Sequence, residues 1–391
     1  MNEATFIQQN RDKKLSEVAL LLSKHPELDK DFIINQINGL QKARTKLPEF
    51  YRNPEIIYPA TISMEQCSSE ATAVFKSELF EPGSLIDLTG GFGIDSYYFS
   101  KKMNRVTYLE PNNALFTIVQ QNFTRLNTPN TTLINDNCEN FIENNKQLFD
   151  VAYIDPSRRN EQQKVFLLSD CIPHIVDLQS AIFKIAAKIL VKTSPMMDIK
   201  QSLKELGSVT KVWVVSLNNE CKEVLYLLEE KGSNQPEINT VNIIHPSREA
   251  RVELQEYLFD FNAEENSPVE FSNPLNYLYE PNASILKAGA FKSLCHPFGL
   301  KKLAPHTHLY TSYGLADQFP GRAFQVIDLF PYSAKALKKP GITQANVSCR
   351  NFVANVNDVK KKLKIRDGGE HYLFACRDQQ DNPIVILCVK V

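Results

Sequence analysis

Apolar residues recur at helical spacing through the first fifty positions. Leu15, Val18, Ala19 and Leu22 share one face of a predicted helix and Phe32, Ile33, Ile37 and Leu40 one face of the next, with His25-Pro26 between them. A proline-bearing segment follows, from Leu47-Pro48 to Tyr58-Pro59, and Ser68-Ser69-Glu70 offers a cap for a helix over 71–79. These features predict an N-terminal helical lobe over residues 1–75. The period then changes. Short apolar runs at 84–89, 105–110, 131–135, 149–154, 188–193 and 209–217 alternate with longer amphipathic stretches, which is the rhythm of a doubly wound α/β sheet. Runs at 224–228 and 238–244 are expected to complete that sheet as an antiparallel edge, giving a domain over 76–245 that ends near Pro246. Residues 246–330 are expected to hold a linker and a small region that is loop-rich over 270–330, and 331–391 to form a small α+β tail, with elements at 345–350, 353–363, 371–376 and 384–389.

Composition narrows the class. With 43% hydrophobic and 23% charged side chains over 391 residues, the chain is an ordinary globular one with length for more than one core. No run of about 18 apolar residues occurs, and Met1 to Arg11 lacks the apolar centre of a signal peptide, so a soluble cytoplasmic protein is expected. The eight cysteines are scattered without a C-x-x-C pair, which indicates neither a zinc framework nor a disulfide scaffold, and no metal is expected. His306-x-His308 lacks nearby acid or thiol partners. Charge is uneven: Lys287 to Val391 carries 16 Lys and Arg against 7 Asp and Glu, and the rest of the chain 28 against 38. A tail near +9 on a body near −10 is the distribution of a polyanion-binding unit joined to an acidic one. Lysines that merely solvate a small domain are the alternative.

Sheets of this type bind ligands at the carboxyl ends of their strands, where this sequence places Asp87, Glu110, Asp136 and Asp155. The first strand runs into Asp87-Leu-Thr89-Gly-Gly91-Phe-Gly93, a glycine turn that lets backbone approach a ligand, with the N–H groups of a helix start behind it. Its spacing departs from the dinucleotide G-x-G-x-x-G, and its leading acid suits a positively charged amino-acid group better than a pyrophosphate. Glu110, 23 residues after Asp87, is placed to accept from both hydroxyls of a ribose. Asp136 is placed for an adenine amino group, or else belongs to an Asn/Asp turn or helix cap.

The succession from Asp87 to Asp155-Pro156-Ser157-Arg158-Arg159 resembles class I S-adenosylmethionine (SAM)-dependent methyltransferases, and the glycine turn is similar to those of RNA-modifying members. The resemblance implies a Rossmann-like seven-stranded core. It also implies SAM as cofactor, held by Asp87, Thr89, Gly91, Gly93, Glu110 and Asp136. Many relatives that methylate a base amine read Asp/Asn-Pro-Pro-aromatic at the fourth strand end; Asp155 and Pro156 match, whereas Ser157 and Arg158 do not. Asp155, Pro156 and Arg158 are the implied catalytic group. Cys171 and Cys221 are near enough to be considered as nucleophiles, with inert buried thiols as the alternative. Ser63 to Thr72 resembles the stretch that covers the cofactor in related enzymes, so Gln66, Ser68 or Ser69 would touch the methionine carboxylate unless they only cap a helix.

The end of the chain, with Gly341 to Phe352 and Lys364 to Tyr372, resembles the THUMP-like domain of a family of bacterial methyltransferases, and Tyr277 to Lys287 resembles that family's small ferredoxin-like insert. THUMP domains proper deliver structured RNA, so the resemblance implies tRNA or rRNA as partner. Lys287, Lys335, Lys338, Lys339, Lys360, Lys361, Lys362, Lys364 and Arg366 are candidate backbone contacts. The expected function is methylation of a base in structured RNA. A catalytically silent RNA-binding protein, a small-molecule or protein methyltransferase and a nicotinamide dehydrogenase are the alternatives.

Overall fold

The computed structural model describes residues 2–158, 167–245, 252–338 and 341–391, so Arg159, Pro246 and Lys339 lie outside the described residues. The chain divides into two units, Met1–Thr210 with Leu225–Gly232, and Lys211–Val224 with Ser233–Val391. No helix among the described residues is long and apolar enough to cross a membrane.

The first unit opens with helices Glu3–Asn10, Leu15–Leu22 and Lys30–Lys46, whose inward faces bury Phe6, Val18, Leu22, Ile33 and Ile37. The i, i+4 spacing of Val18 with Leu22 and of Ile33 with Ile37 creates that stripe. Helix Glu70–Ser77 is capped by Ser69, whose side chain accepts from Thr72 N.

Strands β1 (Ser84–Asp87), β2 (Arg105–Leu109), β3 (Thr131–Ile134) and β4 (Phe149–Ile154) follow, each within two residues of its predicted bounds. A short antiparallel ribbon joins β5 (Ser157–Arg158) to β6 (Cys171–Ile172). Next come β7 (Ala186–Thr193), β8 (Val209–Leu217), β9 (Glu220–Glu229), β10 (Glu237–Ile244) and β11 (Glu253–Phe259).

The large sheet has nine strands, ordered β11-β10-β8-β9-β7-β4-β1-β2-β3, rather than seven. The pairs β1–β2, β1–β4, β2–β3 and β4–β7 are parallel. The expected antiparallel edge at 238–244 is an inner strand instead: β10 lies parallel to β8, and β11 pairs antiparallel beyond it. The reason is burial. Ile238, Thr240, Val241, Asn242 and Ile243 of β10 are all buried, which covers both faces, whereas β11 alternates exposed and half-buried as an edge strand does. The protein's single tryptophan, Trp213, sits on β8 opposite Asn239 of β10.

In the second unit the stretch 270–330, expected to be loop-rich, carries strands β12 (Tyr277–Pro281), β13 (Lys301–Ala304), β14 (Thr307–Ser312) and most of β15 (Gly321–Pro331). Their alternation is hard to see because polar residues such as Glu280, Lys302, Thr307 and Thr311 are buried within them and because the β13–β14 register shifts between Lys302 and Ala304. With β16 (Asn346–Arg350), β17 (His371–Arg377) and β18 (Pro383–Lys390) they make a sheet ordered β13-β14-β12-β15-β18-β17-β16. Alternate residues serve opposite faces: Phe374, Cys376, Ile384 and Ile386 pack with Leu278, Leu309 and Phe324, whereas Leu373, Ala375, Val385 and Leu387 pack with Val359 and Leu363 of helix Val356–Leu363.

Candidate active site

Strands β1 and β4 are parallel neighbours, yet the chain runs outward from β1 through β2 and β3 before returning to β4. Their carboxyl ends therefore flank the switch point of the sheet, the place at which sheets of this kind bind ligands.

The glycine turn after β1 has three glycines for three different reasons. A Cβ on Gly90 would stand 2.1 Å from the Tyr108 ring, and one on Gly93, at φ +76, would press on Val119 and Phe123 at 3.0 Å. Gly91, at φ +54, has nothing but Thr89 O within 4 Å of the same position, so its outer side faces open space where a ligand can approach. The turn is tied from several sides: Gly91 N donates to Glu110 Oε2 at 2.9 Å, Tyr108 OH donates to Gly91 O at 2.7 Å, and Gly93 N donates to Gly90 O at 2.8 Å.

The four strand-end acids play unlike parts. Asp87 is 1% exposed, and its carboxylate accepts from Thr89 N at 3.1 Å and Ser96 Oγ at 2.6 Å, bracing the turn from behind. Burial pushes its carboxyl up to about 7, against the pull of the Ser96 and Thr89 bonds. Glu110 accepts one backbone N–H on each oxygen, from Gly91 and from Asn112, which leaves further lone pairs for a diol. Asp136 Oδ1 accepts from Asn137 N at 2.8 Å and Asn140 Nδ2 at 3.3 Å, while Asn137 caps helix Cys138–Asn144, so the turn reading and an adenine contact remain compatible. Asp155 N donates to Thr89 Oγ1 at 2.7 Å, which makes Thr89 a bridge between the two strand ends.

Behind these acids lies a buried ionic cluster that the sequence did not disclose. Lys76 is 0% exposed; its Nζ is 3.2 Å from Asp95 Oδ1 and donates to Ser68 Oγ at 3.1 Å. Asp95 Oδ2 accepts from Ser68 Oγ and from Tyr153 OH, each at 2.8 Å. Burial alone would raise the Asp95 carboxyl, but the Lys76 and Lys192 ammonium groups, with the Ser68 and Tyr153 bonds, hold it below its ordinary value. Lys192, buried at the end of β7, pairs with Asp155 Oδ2. It too ends a predicted strand, at 188–193; a search of strand ends for bases as well as acids would have found it.

Of the remaining predicted residues, Pro156 is buried beside Asp155, and Arg158 pairs through its backbone with Cys171 in the β5–β6 ribbon. Ser69 caps its helix, Ser68 belongs to the ionic cluster, and Gln66 ends helix Thr61–Gln66 in solvent. All eight cysteines are free; burial pushes the Cys221 thiol up to about 11, which suits an inert thiol rather than a nucleophile. His308 stacks on Phe291 at 3.6 Å between ring centroids, and burial pushes it down to about 4.

An adenosine-bearing cofactor with a charged amino-acid end fits this arrangement: open space over Gly91, spare acceptors on Glu110, and Asp136 and Asp155 at the neighbouring strand ends.

A family described as conserved hypothetical protein 95 matches residues 73–212, a ferredoxin-like domain family matches 277–320, and a THUMP domain-like family matches 321–390. The whole chain is similar to a candidate methyltransferase from Porphyromonas gingivalis W83, 26% identical over 100% of this chain and 97% of that one, with a TM-score of 0.86. A conserved hypothetical protein of Streptococcus pyogenes is 19% identical over 42% of this chain and 98% of its own, with a TM-score of 0.32. An rRNA methylase from Streptococcus thermophilus is 14% identical over 41% and 93%, with a TM-score of 0.31. The last two likenesses are too loose to bear on function. No curated protein matches the chain in sequence.

Proposed function

We propose, on the premise that the chain belongs to the class I SAM-dependent methyltransferases with a ferredoxin-like insert and a THUMP-like end, that it methylates a base in structured RNA, tRNA or rRNA. The observation that carries this reading is Asp155, which stands at the carboxyl end of β4, fixed by Thr89 through its backbone and by Lys192 through one carboxylate oxygen. The other oxygen is then available to accept from an N–H of the acceptor base and orient it.

The cofactor supplies an activated methyl group on a good leaving group. Glu110 would hold its ribose, Asp136 its adenine and the Gly91 backbone its amino-acid portion, while Asp87 acts indirectly by shaping the turn. The chemistry left to the protein is alignment, since a positioned acceptor avoids the entropy of encounter. Pro156 gives the strand end a rigid exit next to the base, which would enter flipped out of its stack. Arg158 is assigned to the same edge of the site.

RNA as substrate is supported by the THUMP-like end and by its charge. Lys361, Lys362, Lys364 and Arg366 are exposed on and just after helix Val356–Leu363, and Lys335 is exposed as well. Lys360 pairs with Asp367 at 2.9 Å, and Lys362 lies over the Tyr332 ring at 3.8 Å, so these two are partly engaged. Such cations contact phosphate rather than read bases.

Asp155→Ala is expected to lower methyl transfer from tritiated SAM to RNA on the order of 10²-fold or more while SAM affinity, measured by calorimetry, stays within about twofold. Asp155→Asn, whose amide oxygen still accepts, should keep part of the rate. Full activity in Asp155→Ala would remove this residue from the mechanism. No transfer by the wild type to any RNA would favour a silent RNA-binding protein.

A further inference from the structure

Asn218, Asn219 and Asn282 line a cavity of about 530 Å³ within the second unit, together with Arg322 and Lys390. Each asparagine is oriented through its carbonyl oxygen. Asn218 Oδ1 accepts from His245 N at 2.9 Å, and Asn219 Oδ1 from Ala283 N at 2.7 Å. Asn282 Oδ1 caps helix Ala283–Ala288, accepting from Ile285 N at 3.1 Å and Ser284 Oγ at 2.6 Å. With the oxygens committed, what these side chains have left to present is Nδ2, a donor. The Nδ2 of Asn282 is buried with no partner among the described residues, and the residue is 2% exposed. A buried donor without an acceptor is uncommon in a folded protein and points to something that fills the space.

The set of groups selects the ligand's chemistry. Amide donors beside the exposed Lys390 ammonium favour a molecule rich in acceptors and negative charge, as a phosphate is; Arg322 gives its Nε and Nη2 to Glu280 and contributes less. Glu253 and Asp317 line the same cavity and disfavour a bare anion, but they are the acceptors that sugar hydroxyls require. Phe319 lines it too but is 7% exposed, which leaves little free ring for the face stacking on which carbohydrate sites commonly rely. The volume lies within the range of about 300–1,000 Å³ common for small-ligand sites. We propose that this cavity binds a nucleotide, with phosphate directed to the cations, ribose hydroxyls to the carboxylates and base carbonyls to the amide donors. The nucleotide is either a free mononucleotide or one unpaired nucleotide of a bound RNA, and only the second source rests on the RNA reading above.

The test is Asn219→Asp combined with Asn282→Asp in the full chain. Aspartate keeps the oxygen that accepts from Ala283 and the one that caps the helix, which favours retention of the fold, while two donors become charged acceptors facing the base carbonyls. Calorimetry of the variant with uridine and guanosine 5′-monophosphates, and separately with a short single-stranded RNA, should show at least about tenfold weaker binding than the wild type, with Tm unchanged. Lys390→Gln, at an exposed position, should weaken the same ligand and guards against misfolding of the double variant. Weakened mononucleotide binding identifies the free nucleotide as the source, and weakened RNA binding alone identifies a nucleotide within RNA. If the wild type binds neither probe, or wild type and variants bind both equally, the proposal is overturned. A wild type that binds mononucleotide but no RNA sinks the RNA reading and leaves this one standing.

Discussion

The first unit draws Lys76 fully out of water against Asp95 and Ser68, and it holds Asp87 at 1% exposure behind the glycine turn. The second unit leaves Lys361, Lys362 and Lys364 in solvent. It also buries Lys302, and at its buried carboxylate Glu280 the partners Arg322 and Arg350 keep 37% and 36% of their side chains exposed. A lysine taken wholly from solvent is costly unless its partner is fixed, so Lys76 belongs to a rigid scaffold. Exposed lysines contribute little to stability and much to long-range attraction, so those of the second unit belong to recognition.

The sharpest way to break this contrast is Lys76→Met. Removing one member of a buried pair leaves Asp95 uncompensated, and a loss of about 3–5 kcal/mol of stability is expected in denaturant unfolding. Lys76→Met with Asp95→Asn should recover part of it. A neutral single variant would show that the cluster does not hold the unit together.

A smaller effect comes from pH. The folded Asp87 carboxyl is pushed up to about 7, so its contribution is present at acid pH and is lost as pH rises from the ordinary carboxylate range through about 7. Asp87→Asn, which keeps the shape and both bonding partners, should flatten that part of the stability profile. In Tm measured between about pH 5 and 8, wild type should fall relative to the variant. Asp95 has the opposite sign, its contribution being lost as pH falls below its ordinary value, and so it does not mask the effect. Parallel profiles would show that Asp87 is already ionised in the fold.

The smallest effect on stability and the clearest on binding is expected from Lys361→Ala with Lys362→Ala. Stability should change by less than about 1 kcal/mol. The slope of log affinity for RNA against log salt should fall by roughly one unit for each phosphate that the variant no longer neutralises. An unchanged slope would return these lysines to the role of solubilising charge.

Much of this was legible in the sequence, and for identifiable reasons. Parallel strands buried on both faces read as continuous apolar runs, so β1, β2, β4, β7 and β8 stood out, and a strand followed by Asp87 and three glycines fixed the turn. The strand at 238–244 was legible as a strand but not in its partner, because burial on both faces is the same whether the next strand is parallel or antiparallel. Strands β12 to β14 were hidden by the polar residues buried within them, such as Glu280, Lys302 and Thr311, and by the shifted register. Lys76 was invisible for a different reason. A lysine on an amphipathic helix reads as a solvated charge, and only the fold brings it under Asp95, which lies beyond the next strand and the glycine turn.

Trp213 on β8, in the second unit, gives the protein a built-in optical reporter. As the only indole in the chain, its emission can be excited apart from the tyrosines and reports on the surroundings of β8. Gly91, Glu110 and Asp155 all lie in the other unit. A shift of that emission when SAM is added would therefore report a change around β8 that binding at those residues sets off, and an unchanged emission would show that binding leaves the surroundings of β8 as they are.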